Sequence, residues 1–271
     1  MEPLIVILSA GEGSRLHPIT DDIPKAMIDI GGKPLIDYKI ESLPSGIRRT
    51  ILLRDPKQAE KFRQLEERLR EKHVFDDKNI IYEDMLISLG YMPQNSTLST
   101  EELAYYLSTF LRSSDSFKEF EPIIFVPVDT IGEGRDYSAL LEHHTKTKAD
   151  ITMLMRKGFN RGSNTRIWTI EQERFIAASS YLHPEWEAKG CPPDMQVALN
   201  HGQEVLTHEG TYIVGINFSR VSLDFFRECY ISSDFTELFR TLKVVPYITD
   251  AEWIDIRDIT NLEMAIERFG K

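Results

Sequence analysis

The stretch from Leu8 to Lys25, LSAGEGSRLHPITDDIPK, carries residues able to do chemistry and almost none able to build a core. Gly11 and Gly13 let the backbone approach a ligand closely, with N–H groups turned toward anionic oxygens. Ser14 and Arg15 follow at once, and Lys25 comes ten residues later behind Pro24. Arginine offers a forked donor and lysine a mobile point charge, so the set suits a polyphosphate whose charge must be neutralised as it reacts. Two glycines alone fit a tight turn equally well. The spacing also lacks the third glycine of a dinucleotide fingerprint and the GK[ST] of a Walker loop, which argues against a nicotinamide-dependent oxidoreductase.

Such a loop needs a scaffold, and the flanking pattern provides one. The apolar runs Leu4 to Leu8, Thr50 to Leu53, Ile123 to Val126 and Ile151 to Leu154 each suit a strand buried on both faces. Between and after them, Leu35 to Leu43, Gln58 to Lys72, Ser99 to Leu111 and Ser138 to Thr147 read as helices. Ser99 and Glu102 form a capping-box pattern, and Asp136 is the expected N-cap of the helix that follows it. This alternation is that of βαβ units around a mostly parallel sheet flanked by helices, an α/β class. It weakens from 158 to 216, where short strands at Thr165 to Ile170 and Thr211 to Ile216 sit among loop-like segments. The expectation is one domain over 1–271 with a smaller strand-rich insertion or lid at 158–216. A final helix, Asp258 to Phe269 with Asp258 as its cap, follows the strand-like EWIDI. The mixed charges of KQAEKFRQLEERLREKH read as a solvated helix face.

Composition narrows the classes. The chain has 271 residues, 41% hydrophobic and 28% charged, enough for a substantial core. A formal charge of -11 disfavours a general role on nucleic acid or an anionic membrane. No apolar run approaches the roughly 20 residues that span a bilayer, and the first residues lack a basic n-region and cleavage site, so the cytoplasm is the expected compartment. Cys191 and Cys229 are far apart and outside any CxxC pair, so both read as ordinary thiols. His143 and His144 are adjacent on one helix and therefore on different faces, a poor ligand pair.

The order Gly-x-Gly-Ser-Arg-Leu, then Pro18 and Thr20, then Pro24-Lys25, then GGKPLIDYKIESL resembles the sugar-phosphate nucleotidylyltransferases. The resemblance implies a Rossmann-like, mostly parallel mixed sheet. It also implies an enzyme that joins a nucleoside triphosphate to a sugar 1-phosphate or related alcohol phosphate and releases pyrophosphate. Carried over, Ala10, Gly11, Gly13, Ser14 and Arg15 would hold the nucleotide, with Lys25 steadying phosphates at the reacting centre. Transfer between polyanions calls for a divalent cation, and Mg²⁺ for carboxylates. IIFVPVDTIGEG and EWIDIRDITNLEMAIE resemble the family's two metal-bearing segments, so Asp129 and Asp255 fall on its metal ligands. Asp129 as a turn cap and Asp255 paired with Arg257 are the structural alternatives. EGTYIVGINF echoes another family segment and would put Gly210 and Tyr212 on the acceptor side. A homo-oligomer stays open.

The chain departs from the family in three places. Its Ser9-Ala10 and Gly13-Ser14 bring the opening closer to cytidylyltransferases of choline phosphate or inositol phosphate type, which points to cytosine as the base. The glycine-rich base-reading segment is replaced by MPQNSTLSTEE, with Asn95, Ser96 and Thr97 as hydrogen-bonding candidates or a plain solvated loop. The acceptor-phosphate lysine is missing where Ser179 and Ser180 stand, leaving Arg156, Lys157, Arg161 or Arg166 to supply that charge. A catalytically idle relative that binds a nucleotide and regulates a partner is the alternative reading. It has no chemical need for Asp129, Asp255, Arg15 and Lys25 together. A glycosyltransferase using a sugar nucleotide also pairs aspartate with metal, but has less need for the Arg15 and Lys25 grip.

Overall fold

The structure is a computed structural model and describes residues 2–11, 13–53, 59–71, 80–93, 100–133, 136–157, 164–171, 174–179, 203–214 and 242–270. The chain divides into two compact units, Met1–Ile131 with Ile254–Lys271, and Gly132–Trp253.

In the first unit, β1 (Glu2–Ser9), β2 (Arg48–Leu53), β3 (Ile80–Tyr82) and β4 (Phe120–Pro127) form a wholly parallel array in the order β4-β1-β2-β3. Its central strand, β1, has no exposed surface from Leu4 to Ile7, as a strand covered on both faces should. The helices of this stretch are α1 (Ile19–Asp22), α2 (Leu35–Ser42), α3 (Ala59–Glu71), α4 (Glu83–Ser88) and α5 (Thr100–Ser113). On α2 the residues Leu35, Ile36 and Ile40 face the core, and Leu43 continues the stripe. Each such side chain stabilises the fold by roughly 1.5–3 kcal/mol relative to exposure. α5 begins one residue after Ser99, the expected cap, which lies outside the described residues.

The chain runs outward from β1 to β2 to β3 and then returns to place β4 on the opposite side of β1. The strand order therefore reverses between β1 and β4. In open α/β sheets a crevice forms at the carboxyl ends of two such strands, and ligands bind there.

β5 (Thr130–Glu133) leaves this unit. The second unit contains α6 (Tyr137–Thr147), β6 (Ile151–Lys157), β7 (Asn164–Glu171), β8 (Arg174–Ser179), β9 (Gln203–Val214) and β10 (Val244–Ile248). β10 pairs with β6 in parallel, while β6 with β9, β9 with β7 and β7 with β8 are antiparallel. The segment NHGQEVLTHEG, loop-like for its glycines and polar residues, supplies much of β9. Ladder pairing with β6 and β7 overrides its weak local propensity. Asp136 caps α6 as expected, accepting from Ala139 N at 2.9 Å.

β11 (Glu252–Asp255) pairs with β5 in a two-stranded ribbon. The closing helix, α7 (Ile259–Phe269), is capped by Asp258, which accepts from Asn261 N at 2.9 Å. Leu262 and Ala265 of α7 pack with Leu16, Ile28, Ile30 and Leu35 in the core of the first unit. Gly31, at φ +66, lies so close to the end of α7 that an added Cβ would stand 2.0 Å from Gly270 Cα.

Candidate active site

The loop that leaves β1 is built on buried anchors. Ala10 is 8% exposed and Leu16 fully buried, so both ends of the turn are fixed. Gly13 adopts a left-handed conformation, φ 69 and ψ 29, and starts the 3-10 turn Ser14–Leu16. Its carbonyl accepts from Leu16 N and from Thr20 Oγ1, each at 2.8 Å. A Cβ there would come within 2.9 Å of Thr20 Cγ2, so the backbone conformation and the close packing both call for glycine. Gly11 differs. An added Cβ would meet nothing within 4 Å, which leaves an open backbone of the kind a ligand needs. Ser14 and Arg15 are exposed, and among the described residues Arg15 pairs with no carboxylate.

β4 brings the second component. Val128 N donates to Leu8 O at 3.0 Å, which sets Asp129 beside the end of β1. Pro24 leads into a 3-10 turn at Lys25–Met27, and Lys25 Nζ donates to Asp129 Oδ2 at 2.7 Å. The lysine side chain is 11% exposed and the aspartate 33%. Burial pushes the Asp129 carboxyl up, but attraction and hydrogen bonding from Lys25, with attraction from Lys39, outweigh it and hold the group below the usual carboxylate range. Lys25 and Asp129, 104 residues apart, are thus joined at the strand-order reversal.

Asp255 reaches the same neighbourhood through the backbone. Ile256 N donates to Asp129 O at 2.8 Å, and Asn261 Nδ2 donates to Asp255 O at 2.7 Å. The Asp255 carboxylate lies 3.8 Å from Arg257 Nε, a loose pair with both side chains partly exposed.

Among the described residues no group of three or more His, Cys, Asp or Glu side chains could hold a metal ion. The donor set is instead two carboxylates on adjoining backbone, one of them already holding a lysine ammonium. That set suits Mg²⁺, which commonly takes one or two carboxylates and completes its shell with phosphate oxygens and water.

Thr20, which the sequence reading placed in the family motif without a role, supports Gly13. A second residue, Lys39, escaped that reading. Lys39 is 1% exposed and donates from Nζ to Thr130 Oγ1 at 3.0 Å. Its signal was a broken pattern: position 39 falls on the 36, 40, 43 apolar stripe of α2, where lysine does not belong.

The histidines stand apart from this centre. His144, buried in the second unit, has Nδ1 2.8 Å from Thr152 Oγ1, and burial is the main cause that pushes its imidazole down to about 4. His143 instead lies against the Tyr247 ring at 5.4 Å.

Gly210 and Tyr212 lie on β9, with Tyr212 opposite Met153 in the ladder. The register also sorts the candidate acceptor cations. Lys157 on β6 and Arg166 on β7 both stand opposite Leu206, so they share a row and a face, whereas Arg156 stands opposite Thr207. Arg156 lies 6.0 Å from the Trp253 ring. Ser179 ends β8. Asn95, Ser96, Thr97, Arg161, Ser180, Cys191 and Cys229 lie outside the described residues.

Among the described residues no helix is long and apolar enough to cross a membrane. The family model described as "Nucleotidyl transferase" matches residues 4–163. Choline-phosphate cytidylyltransferase of Streptococcus pneumoniae is 39% identical over 77 residues, 28% of this chain and 34% of that protein. CTP:phosphoglutamine cytidylyltransferase of Campylobacter jejuni is 55% identical over 40 residues, 15% of this chain and 16% of that protein. The matches thus span about a third or less of these relatives' length. HddC from Yersinia pseudotuberculosis, solved with GMP-PN, superposes with a TM-score of 0.61 at 19% identity, covering 99% of this chain and 100% of that one. At that identity the likeness is one of fold, a Rossmann-like parallel sheet flanked by helices.

Proposed function

The chain belongs to the nucleotidyl transferase family, and from that premise we propose that it joins a nucleoside triphosphate to a sugar 1-phosphate or related alcohol phosphate. An oxygen of the acceptor phosphate attacks the α-phosphorus. The new P–O bond forms as the bond between the α-phosphorus and the bridging oxygen breaks, and pyrophosphate leaves with that electron pair.

The observation that carries this reading is the Lys25 to Asp129 contact beside the open glycine loop, at the reversal of strand order. The backbone of Ala10, Gly11, Gly13 and Ser14 lines the triphosphate, with Gly11 admitting its close approach. Arg15, which no carboxylate holds among the described residues, neutralises phosphate oxygens. Lys25 turns from Asp129 toward the phosphates and stabilises charge passing to the leaving group. Asp129 and Asp255 would hold Mg²⁺, which when bound offsets phosphate charge and polarises the α-phosphate. Asn261 keeps the Asp255 backbone in place through its side-chain amide. Gly210 and Tyr212 are assigned to the acceptor, as the family resemblance implies, and Lys157 and Arg166, which share a row of the second unit's sheet, are the candidates for the charge of the missing family lysine. CTP is the favoured nucleotide: the opening AGEGSR has a cytidylyltransferase character, and two relatives that match stretches of the chain carry that name.

The test is pyrophosphate release by purified protein with Mg²⁺, each of CTP, UTP, ATP, GTP and dTTP, and a panel of sugar, inositol and choline phosphates. Release with one nucleotide and one acceptor is expected, and EDTA should stop it. Nucleotide binding without release across the panel would favour a regulatory binder instead.

A further inference from the structure

Two lysines lie at or next to Asp129 in the chain's contacts, and they are held in different ways. Lys25 stands on a single turn at the end of the phosphate loop and touches Oδ2 directly at 2.7 Å. Lys39 stands on α2, with 1% of its surface exposed, and its Nζ donates at 3.0 Å to the hydroxyl of Thr130, the residue after Asp129. Leu35, Ile36 and Ile40 of the same helix are also buried. A fully buried ammonium is rare and costly, and it persists where it is paired or hydrogen-bonded. The Thr130 hydroxyl that Lys39 engages belongs to the residue next to Asp129. When Lys25 turns toward phosphate, the aspartate loses its direct partner. Lys39 cannot follow, because helix and core hold it.

We infer that Lys39 is a fixed cation of the reaction centre, a positioning residue that holds permanent positive charge behind Asp129 and weakens the substrate-free protein's grip on divalent metal. Metal then binds productively with the nucleotide, whose phosphates supply the missing negative charge, rather than ahead of it. This role rests on the proposed reading of Asp129 as a metal ligand. It assigns to Lys39 no contact with substrate.

The experiment uses the full chain without nucleotide and Mn²⁺ as the probe, followed by electron paramagnetic resonance and calorimetry. Lys39→Gln keeps a donor for Thr130 and removes the charge, and Lys39→Met keeps the length of the stem. Either folded variant should bind Mn²⁺ at least about fivefold more tightly than the native chain, since a like charge has been removed at short range. The Mg²⁺ concentration for half-maximal pyrophosphate release should fall in parallel. Unchanged or weaker Mn²⁺ binding in a variant whose circular dichroism is native would overturn the role of Lys39 alone. Equal Mn²⁺ binding by the native chain and Asp129→Asn would overturn the metal assignment first, and this role with it. Where neither Lys39 variant folds, Mn²⁺ broadening of the Lys39 side-chain resonance in the native chain decides the matter: broadening supports the role, and its absence overturns it.

Discussion

Two ion pairs in the first unit have nearly opposite designs. In the pair between α2 and α3, Arg68 Nε and Nη2 donate to Asp37 Oδ1 and Oδ2 at 3.0 and 2.5 Å, so both carboxylate oxygens are engaged. The Asp37 side chain is 2% exposed and Arg68 is 34% exposed. In the pair at the strand ends, the lysine is the more buried partner and the carboxylate the more open one. Lys25 takes Oδ2 of an Asp129 that remains 33% exposed. The first is a closed fork joining two helices. The second leaves carboxylate surface for another cation. A satisfied pair contributes to the fold, whereas a partly satisfied one at a sheet's carboxyl end is available for chemistry.

Substitution should separate the two. Asp129→Asn is expected to lower turnover per folded molecule by about a thousandfold or more, through loss of a ligand and of charge alignment, a loss far beyond what the destabilisation from leaving Lys25 without its carboxylate accounts for. Near-native pyrophosphate release in that variant would erase the distinction. Asp37→Asn should act the other way round. It breaks the fork and destabilises by about 2 kcal/mol, less than a fully buried pair would because Arg68 can reach water. Activity per folded molecule should hold. Denaturant unfolding beside a kinetic assay reads both quantities at once.

A closed polar contact in the second unit sharpens the comparison through pH. His144 is pushed down to about 4 from 6.5, so between those values the unfolded chain binds the proton and the folded chain does not. Its contribution is full above about pH 6.5, declines as pH falls toward about 4 and is constant below. The loss is at most about 3–4 kcal/mol. Replacing His144 with Asn should flatten stability over that window, and an unchanged slope would show that other groups set it.

How far the sequence reached varied by element. β1 and β4 were legible because a strand covered on both faces reads as an unbroken apolar run. Asp136 and Asp258 were legible as caps because a cap is a local event. β3 has only three residues, too few for a period. β9 was legible only toward its end, as the strand expected at Thr211 to Ile216; its first part, with His208 and Gly210, is revealed by its ladder partners. Lys39 went unremarked although its charge interrupts an apolar stripe, because the Thr130 it donates to lies 91 residues away.

Residue type and order alone determined that a glycine loop with Arg15 and Lys25 follows a buried strand, and that loop is suited to polyphosphate. Backbone freedom and side-chain charge are properties of the residues themselves. Tertiary structure decided what those residues meet: Lys25 on Asp129, Asp255 beside it through Ile256, and Lys39 behind Thr130. These contacts span stretches of 91 residues or more, and they depend on a sheet order that reverses at β1, which no local pattern encodes.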